Sequence, residues 1–449
     1  MEKVFSSGLS SVLSGGADTI VACATPAGRG GLAVVRVSGP ATRALAAAVC
    51  PEVVMDQGWR ARLAAIRDAD GALIDHAVAL PLPAPRTFTG EDMLELTVHG
   101  SPFIVAAVVD AFRAAGARPA EPGEFTRRAL ANDKLDLVQA EAINELASAE
   151  TAAQARMAQA QLDGALSRRF NELKEELVEL LAVLEGGLDF VAQEVALDED
   201  AARARREGAW ERLQALLATA APGRRIRDGV RVVIAGPPNS GKSTLFNALA
   251  SEERAIVSPH PGTTRDLVEV VLEMGGVPVV LQDTAGIGDT DDPVEREGVR
   301  RARGATATAD AVVWLWPADG GRAPDVPEVT GQVALRLRSK WDLAAARAPE
   351  DGWMPVSCHS GEGLELVRRT LAEAVAEDVA DLGGNAAIAE RHRTALERAA
   401  AELEGLRVDE PELAAEAARN ALDAVRELLG EVAAEDVLDR IFGRFCIGK

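Results

Sequence analysis

Apolar residues recur along this chain with two periods, and the period changes mark its segments. Residues 19–22 and 31–37 are short apolar runs, and 93–98 alternates apolar with polar, so all three predict strands. Residues 103–115 predict a helix. From about residue 135 to 186 the pattern becomes helical and rich in Ala, Glu and Leu. There Leu162, Leu166, Phe170, Leu173, Leu177, Leu180 and Leu184 recur at threes and fours, one apolar stripe. A second strand-forming region follows. Residues 230–235 read as a buried parallel strand, and 267–274 with 277–282 read as a hairpin around Gly275-Gly276. Residues 333–337 form a further apolar run. Helical character returns from 385 to 442.

Residues Gly236-Pro237-Pro238-Asn239-Ser240-Gly241-Lys242-Ser243-Thr244 fit G-x-x-x-x-G-K-[ST] between a strand and a helix. Leu245 and Leu249 share one face of that helix. A glycine turn at a helix N-terminus aims backbone N–H groups and the helix dipole at a polyphosphate. Lys242 then reaches the β/γ-phosphates and Ser243 ligates Mg²⁺. Asp283-Thr284-Ala285-Gly286 ends the next strand, where a Mg²⁺-associated Asp and a γ-phosphate-sensing Gly belong. Thr263 and Thr264 lie upstream and offer a second Thr for Mg²⁺. A hairpin between P-loop and Asp-x-x-Gly is the layout of small GTPases.

Base choice is expected from Ser339-Lys340-Trp341-Asp342, which resembles the Asn-Lys-x-Asp guanine element. Asp342 can accept from guanine N1–H and N2–H, and Lys340 can lie over the ring. Ser339 replaces the usual Asn and is too short to copy its reach, which predicts GTP binding weaker by about 1 kcal/mol. Ser357-Cys358-His359 resembles the loop that backs the base. The residue after Asp-x-x-Gly is Ile287, which cannot orient water, so Glu295 is the candidate for that task. Composition alone reads Glu295 as a solvated acid. No arginine finger is evident. Asn239, with backbone carbonyls of Ser258 and His260, can instead hold K⁺ between phosphates.

At 449 residues and 47% hydrophobic content, the chain has room for two or three domains. No apolar run reaches the ~18 residues of a membrane span, and residues 1–16 read as a polar extension without a secretion signal. Cys23, Cys50, Cys358 and Cys446 are dispersed, which argues against zinc and disulfides and for the cytoplasm. Cys23, Cys50 and Cys358 are expected to be core or loop residues. A net charge of −22 disfavours a large nucleic-acid footprint on this chain alone. The lack of Tyr and the heavy use of Ala and Arg read as codon bias.

Motifs outside the P-loop are more specific. Residues 25–31 (TPAGRGG), 36–39 (RVSG), 89–95 (TGEDMLE), 121–129 (EPGEFTRRA), 132–141 (NDKLDLVQAE) and the terminal 445–449 (FCIGK) together resemble the MnmE (TrmE) family of bacterial tRNA-modification GTPases. That resemblance implies a multidomain chain of α/β and α classes. It has a flexible extension at 1–16, an N-terminal α/β folate-binding and dimerisation domain at 17–132, and a helical domain at 133–226 and 383–449. A Ras-like P-loop GTPase domain at 227–382 is inserted in the helical one. It implies GTP, Mg²⁺, K⁺ and a tetrahydrofolate derivative as cofactors. A homodimer, a flavin-dependent MnmG-type partner in a heterotetramer, and tRNA held largely by that partner are implied as well. The implied reaction adds an aminomethyl or carboxymethylaminomethyl group to C5 of a wobble uridine.

Carried over by position, Arg36, Glu95, Lys134 and Lys449 match folate contacts. Glu295 matches the catalytic Glu, Asn239, Ser258, His260 and Thr263 the K⁺ ligands, and Ser243 and Thr264 the Mg²⁺ ligands. Cys446 has two readings. Its thiolate can add to uridine C6 and activate C5, or it is a packed structural residue. The competing reading of the whole chain is a regulatory switch GTPase of ribosome assembly, with its helices as scaffold. That class normally carries a basic RNA-binding appendage, which this chain lacks.

Overall fold

The computed structural model describes residues 18–189, 197–237, 239–252, 255–256, 268–283, 309–319, 321, 333–344, 352–380, 387–432 and 435–449. The chain divides into two compact units. One comprises residues up to 144 with 162–210 and 398–449, and the other 145–161 with 211–397.

The first unit opens with β1 (Ile20–Cys23), β2 (Leu32–Ser38), α1 (Thr42–Val49), β3 (Arg62–Arg67), β4 (Leu73–Leu82) and β5 (Met93–His99). Then come α2 (Pro102–Ala115), β6 (Arg118–Pro119) and α3 (Glu124–Ala131). The six strands order as β3-β4-β5-β2-β1-β6, antiparallel except for the β1/β6 pair. Side chains alternate between faces. Val35 and Val37 of β2 and Leu94, Leu96 and Val98 of β5 are buried in one core with Val108 and Phe112 of α2 and Leu45 and Val49 of α1. The expected alternation of 93–98 is therefore real, and its odd members, Glu95 and Thr97, lie on the opposite face. Strands β3 and β4 were not evident from the sequence, because Ala64 and Ala65 in β3 and Asp75 and Pro81 in β4 are poor strand formers.

Helices α4 (Leu137–Ser148), α5 (Ala152–Leu162), α6 (Ala165–Asp189), α7 (Glu199–Leu217) and α8 (Ala220–Asp228) follow. The expected single apolar stripe is cut: Leu162 ends α5, and the chain turns at Gly164 with φ +80° before α6 begins. Leu166, Phe170, Leu173, Leu177, Leu180 and Leu184 of α6 are fully buried.

The second unit carries β7 (Val230–Ala235), α9 (Lys242–Glu252), β8 (Ala255–Ile256), β9 (Val268–Met274), β10 (Val277–Asp283), β11 (Ala311–Pro317), β12 (Val333–Ser339), β13 (Met354–Pro355) and α10 (Leu364–Ala380). Its sheet runs β13-β12-β11-β7-β10-β9-β8. Strand β7 is central and parallel to both β10 and β11, and β9/β10 is the expected hairpin. Parallel strands covered on both faces need apolar runs, which Val232, Val233 and Ile234 supply with no exposure. Helices α11 (Glu390–Gly405), α12 (Pro411–Leu429) and α13 (Glu435–Phe442) close the chain. In the first unit α12 packs along α6, burying Ala418, Ala421, Leu422, Val425 and Leu428. Among the described residues no helix is long and apolar enough to cross a membrane.

Two motifs of the first unit meet at one buried guanidinium. Arg128 of α3 is 5% exposed and donates to Asp18 Oδ1 at 2.8 Å, to Glu124 Oε1 at 2.9 Å and to Glu91 at 3.3 Å. Glu91 also accepts from Ser38 Oγ at 2.7 Å, and Arg118 donates to Glu124 at 2.6 Å. Burial pushes the Glu124 carboxyl up, but bonds from Arg118 and Arg128 overcome it and hold it below its ordinary value. A bond from Arg118 likewise lowers Asp18.

Two outcomes follow from this geometry. Arg128→Met leaves Glu91 without its cation and Asp18 and Glu124 with Arg118 alone, and should cost about 3–5 kcal/mol. Hydrogen exchange at the β5 amides checks this; unchanged protection refutes it. Because both carboxyls titrate lower in the folded state, their stabilisation is complete above the ordinary Glu value of 4.5 and fades as pH falls through the lowered values. Acid titration of the same amides should show protection lost only below that point, and an equally steep acid loss in Arg128→Met, whose carboxyls no longer have that cation to lower them, would contradict the assignment.

Candidate functional site

In the second unit the end of β7 delivers the chain into the glycine turn, and α9 starts at Lys242. Asn239 and Gly241 adopt left-handed conformations, φ +59° and +92°, which curl the loop back over the helix N-terminus. Lys242 is buried, and its Nζ donates to the carbonyls of Gly236 at 3.0 Å and Pro237 at 2.9 Å. Burial lowers its pKa, and Asp283 partly offsets this. Ser243 Oγ donates to Asp283 Oδ2 at 2.6 Å, so β10 and α9 bring the two expected Mg²⁺-associated groups together. The other Asp283 oxygen is buried with no partner among the described residues. An orphaned carboxylate oxygen beside a hydroxyl is a donor set that suits Mg²⁺, a hard, oxygen-seeking cation. Thr244 is exposed on the first turn of α9.

The base side is built from the end of β12. Ser339 is buried, and its Oγ donates to the carbonyl of Ser240 at 2.6 Å. This ties the base segment to the phosphate loop. Lys340 is left-handed at φ +55°, with its Nζ 3.7 Å from Asp319. Asp342 sits in a short turn and accepts from Ser357 Oγ at 2.6 Å. That bond lowers the Asp342 pKa, helped by His359, so its carboxylate stays ionised. Cys358 packs against the sheet core, and burial raises its thiol pKa. Ser258, His260, Thr263, Thr264, Thr284, Ala285, Gly286, Ile287 and Glu295 lie outside the described residues.

The first unit carries a second candidate site. Arg36 of β2 and Glu95 of β5 are register partners, so they emerge side by side on the face opposite α2. Their ion pair is 2.7 Å. The C-terminal tail folds back to them. Ile447 bridges Pro122, and the Gly448 carbonyl accepts from Arg36 Nη1 at 3.3 Å. Gly448 has φ +95°, and a Cβ there would lie 2.3 Å from the Cys23 carbonyl, so only glycine fits. The structure thus gathers Arg36, Glu95 and the tail bearing Cys446 and Lys449. Lys134 donates instead to the Pro85 carbonyl at 2.8 Å. Cys446 is exposed, whereas Cys50 is buried, which pushes its thiol up to about 12.

Sequence reading missed Asp319, which holds Lys340, and Arg338, a buried arginine whose guanidinium donates to the Pro317 and Gly321 carbonyls. Neither has a motif. The strand β11, which supplies Pro317, was the available signal: Val312-Val313-Trp314-Leu315-Trp316 is an apolar run of strand length.

Known proteins resemble this chain along nearly its whole length. The family profile described as MnmE helical domain matches residues 137–446, and that described as GTP-binding protein TrmE N-terminus matches residues 19–134. The tRNA modification GTPase MnmE of Rhodopseudomonas palustris is 43% identical over 440 residues, covering 96% of this chain and 99% of that protein. Its namesake in Methylorubrum populi is 45% identical over 446 residues, covering 96% and 98%. That in Caulobacter vibrioides is 42% identical over 453 residues, covering 96% and 100%. With both domain profiles in order and these identities end to end, the chain belongs to the MnmE (TrmE) family.

Proposed function

We propose that this chain is a K⁺-dependent GTP-hydrolysing subunit of a tRNA-modifying complex. It acts on C5 of the wobble uridine, adding an aminomethyl or carboxymethylaminomethyl group with a one-carbon unit from a tetrahydrofolate. The observation that carries the reading is the tail folded onto the Arg36–Glu95 pair. A switch GTPase whose helices are only scaffold has no use for it. Glu95 offers a carboxylate to a pterin N–H edge, and Arg36, Lys134 and Lys449 offer cations to a glutamyl tail. The exposed Cys446 is placed on the same tail, available for addition to uridine C6.

The proposed nucleotide residues divide the hydrolytic work. Lys242 exchanges its loop carbonyls for phosphate oxygens. Ser243 and Thr264, beside Asp283, hold Mg²⁺, which supplies charge neutralisation when bound. Asn239 and Thr263, with Ser258 and His260, hold K⁺ where an arginine finger stands in other GTPases. Glu295 orients water. Gly286 with Thr284 and Ala285 follows the γ-phosphate.

The domain limits proposed are 17–132, 133–226 with 383–449, and 227–382. We also propose a homodimer through the N-terminal domain. The outer sheet face there leaves the cross-strand neighbours Leu63 and Val78 exposed, apolar side chains that a second copy would cover. The net charge of −22 fits a flavin-dependent partner that bears most of the tRNA contact, and the dispersed cysteines fit a cytoplasmic site of action.

Two measurements test the proposal. GTP turnover at equal ionic strength should be faster in K⁺ than in Na⁺; equal rates remove the cation site. Bulk tRNA from a strain lacking the gene, digested and compared by mass spectrometry, should lose a 5-substituted aminomethyl-type uridine. The intact gene should restore it, and a gene ending before Cys446 should not. Unchanged nucleosides would transfer the case to the switch GTPase. Full restoration by Cys446→Ser would leave the tail in place but end the nucleophile role.

A further inference from the structure

Guanine presents two kinds of edge: N1–H and N2–H donate, whereas O6 and N7 accept. Among the described residues at the base position, Asp342 is arranged for the donating edge and both serines are committed elsewhere, while His359, exposed in the backing loop, acts on the Asp342 carboxylate through its charge. The Asp342 carboxylate is ionised and exposed. The two neighbouring hydroxyls have each committed a proton. Ser357 donates to Asp342 Oδ1, and Ser339 donates to the Ser240 carbonyl, both at 2.6 Å. A serine hydroxyl has a single proton. Ser339 is 4% exposed, so turning that proton to N7 would strand a buried carbonyl of the phosphate loop. Lys340, the nearest cation on the same segment, faces Asp319.

We propose that this chain reads guanine without a side-chain hydrogen bond to N7. Ser339 acts as a positioning residue, a strut between base segment and phosphate loop, and discrimination rests on Asp342. This inference rests on the guanine-binding reading above.

The test compares affinities of the full-length protein for GTP, 7-deaza-GTP and inosine triphosphate in K⁺ and Mg²⁺. 7-Deaza-GTP lacks only the N7 acceptor and should bind within about twofold of GTP. Inosine triphosphate lacks the N2 amino group and should bind about tenfold more weakly, as expected for a lost bond to a charged acceptor. A weakening of about fivefold or more with 7-deaza-GTP, the worth of one neutral hydrogen bond, overturns the inference while leaving the guanine reading intact. Equal binding of inosine triphosphate and GTP overturns the Asp342 reading and the inference with it. Ser339→Ala should weaken GTP and 7-deaza-GTP together, keeping their ratio near one. If Ser339 served N7, the wild-type ratio would be high and would fall to one in this variant.

Discussion

The first unit depends on one buried cation. Arg128 projects from α3 into a site where Asp18, Glu91 and Glu124 converge. These residues lie before β1, in the loop before β5 and on α3 itself, so a single guanidinium fixes three separate segments. Burying a charge costs several kcal/mol unless partners replace its water. Here the partners come from the very loops that must be held still. Glu91 carries the constraint onward through Ser38, which also meets Thr89 at 2.7 Å at the end of β2. Asn132 donates to the Thr89 carbonyl at 2.7 Å. The family motifs at 89–95 and 121–129 are thus largely two halves of one joint. On the face opposite α2, Met93 and Phe125 of these motifs pack together, and Glu95 reaches Arg36.

That joint also sets where the tail can go. Gly123, at φ +67°, opens α3, and a Cβ there would stand 3.0 Å from the Phe442 carbonyl and 3.1 Å from Phe445 Cβ. The close approach lets α13 and Phe445 settle beside α3, with Phe442 and Phe445 rings 5.4 Å apart. From Phe445 the chain has four residues left, and Ile447 pairs with Pro122 immediately before Gly123. Two glycines at two crowded crossings, Gly123 and Gly448, therefore deliver the Cys446-bearing tail to the Arg36–Glu95 pair. The proposed role of the tail is conditional on packing that contains no chemistry at all.

The sequence made some of this legible and concealed the rest for physical reasons. The P-loop and its flanking elements were readable because phosphate binding demands a fixed spacing of glycine, lysine and hydroxyl. The β9/β10 hairpin was readable because Gly275-Gly276 permits its turn. Arg36 and Glu95 came only by family resemblance, each as a folate contact, and their pairing was hidden because cross-strand register is a non-local property. The helical stripe from Leu162 to Leu184 misled by continuity: a pattern in phase on both sides of Gly164 hides a helix break that only the glycine marks. Arg128 was quoted within a motif yet given no role, because nothing in a sequence separates a buried arginine from a solvated one.

Lys242 connects these packing arguments to turnover. Its ammonium is buried and satisfied by two loop carbonyls, so the lysine is held inside its own loop. Burial disfavours its charge, and Asp283 partly restores it. A polyphosphate entering the loop offers that ammonium a stronger, charge-assisted partner than neutral carbonyls. With the proposed Mg²⁺, the same entry would give the orphaned Asp283 oxygen a cation to face across Ser243. Each group therefore holds a weaker partner, or none, until the ligand arrives with both charges. Nucleotide and Mg²⁺ should then bind as a coupled pair, since either alone leaves one buried charge worse compensated than before. Ser339 adds the base to that coupling, because its bond to the Ser240 carbonyl makes any shift of the phosphate loop felt at Asp342 three residues on.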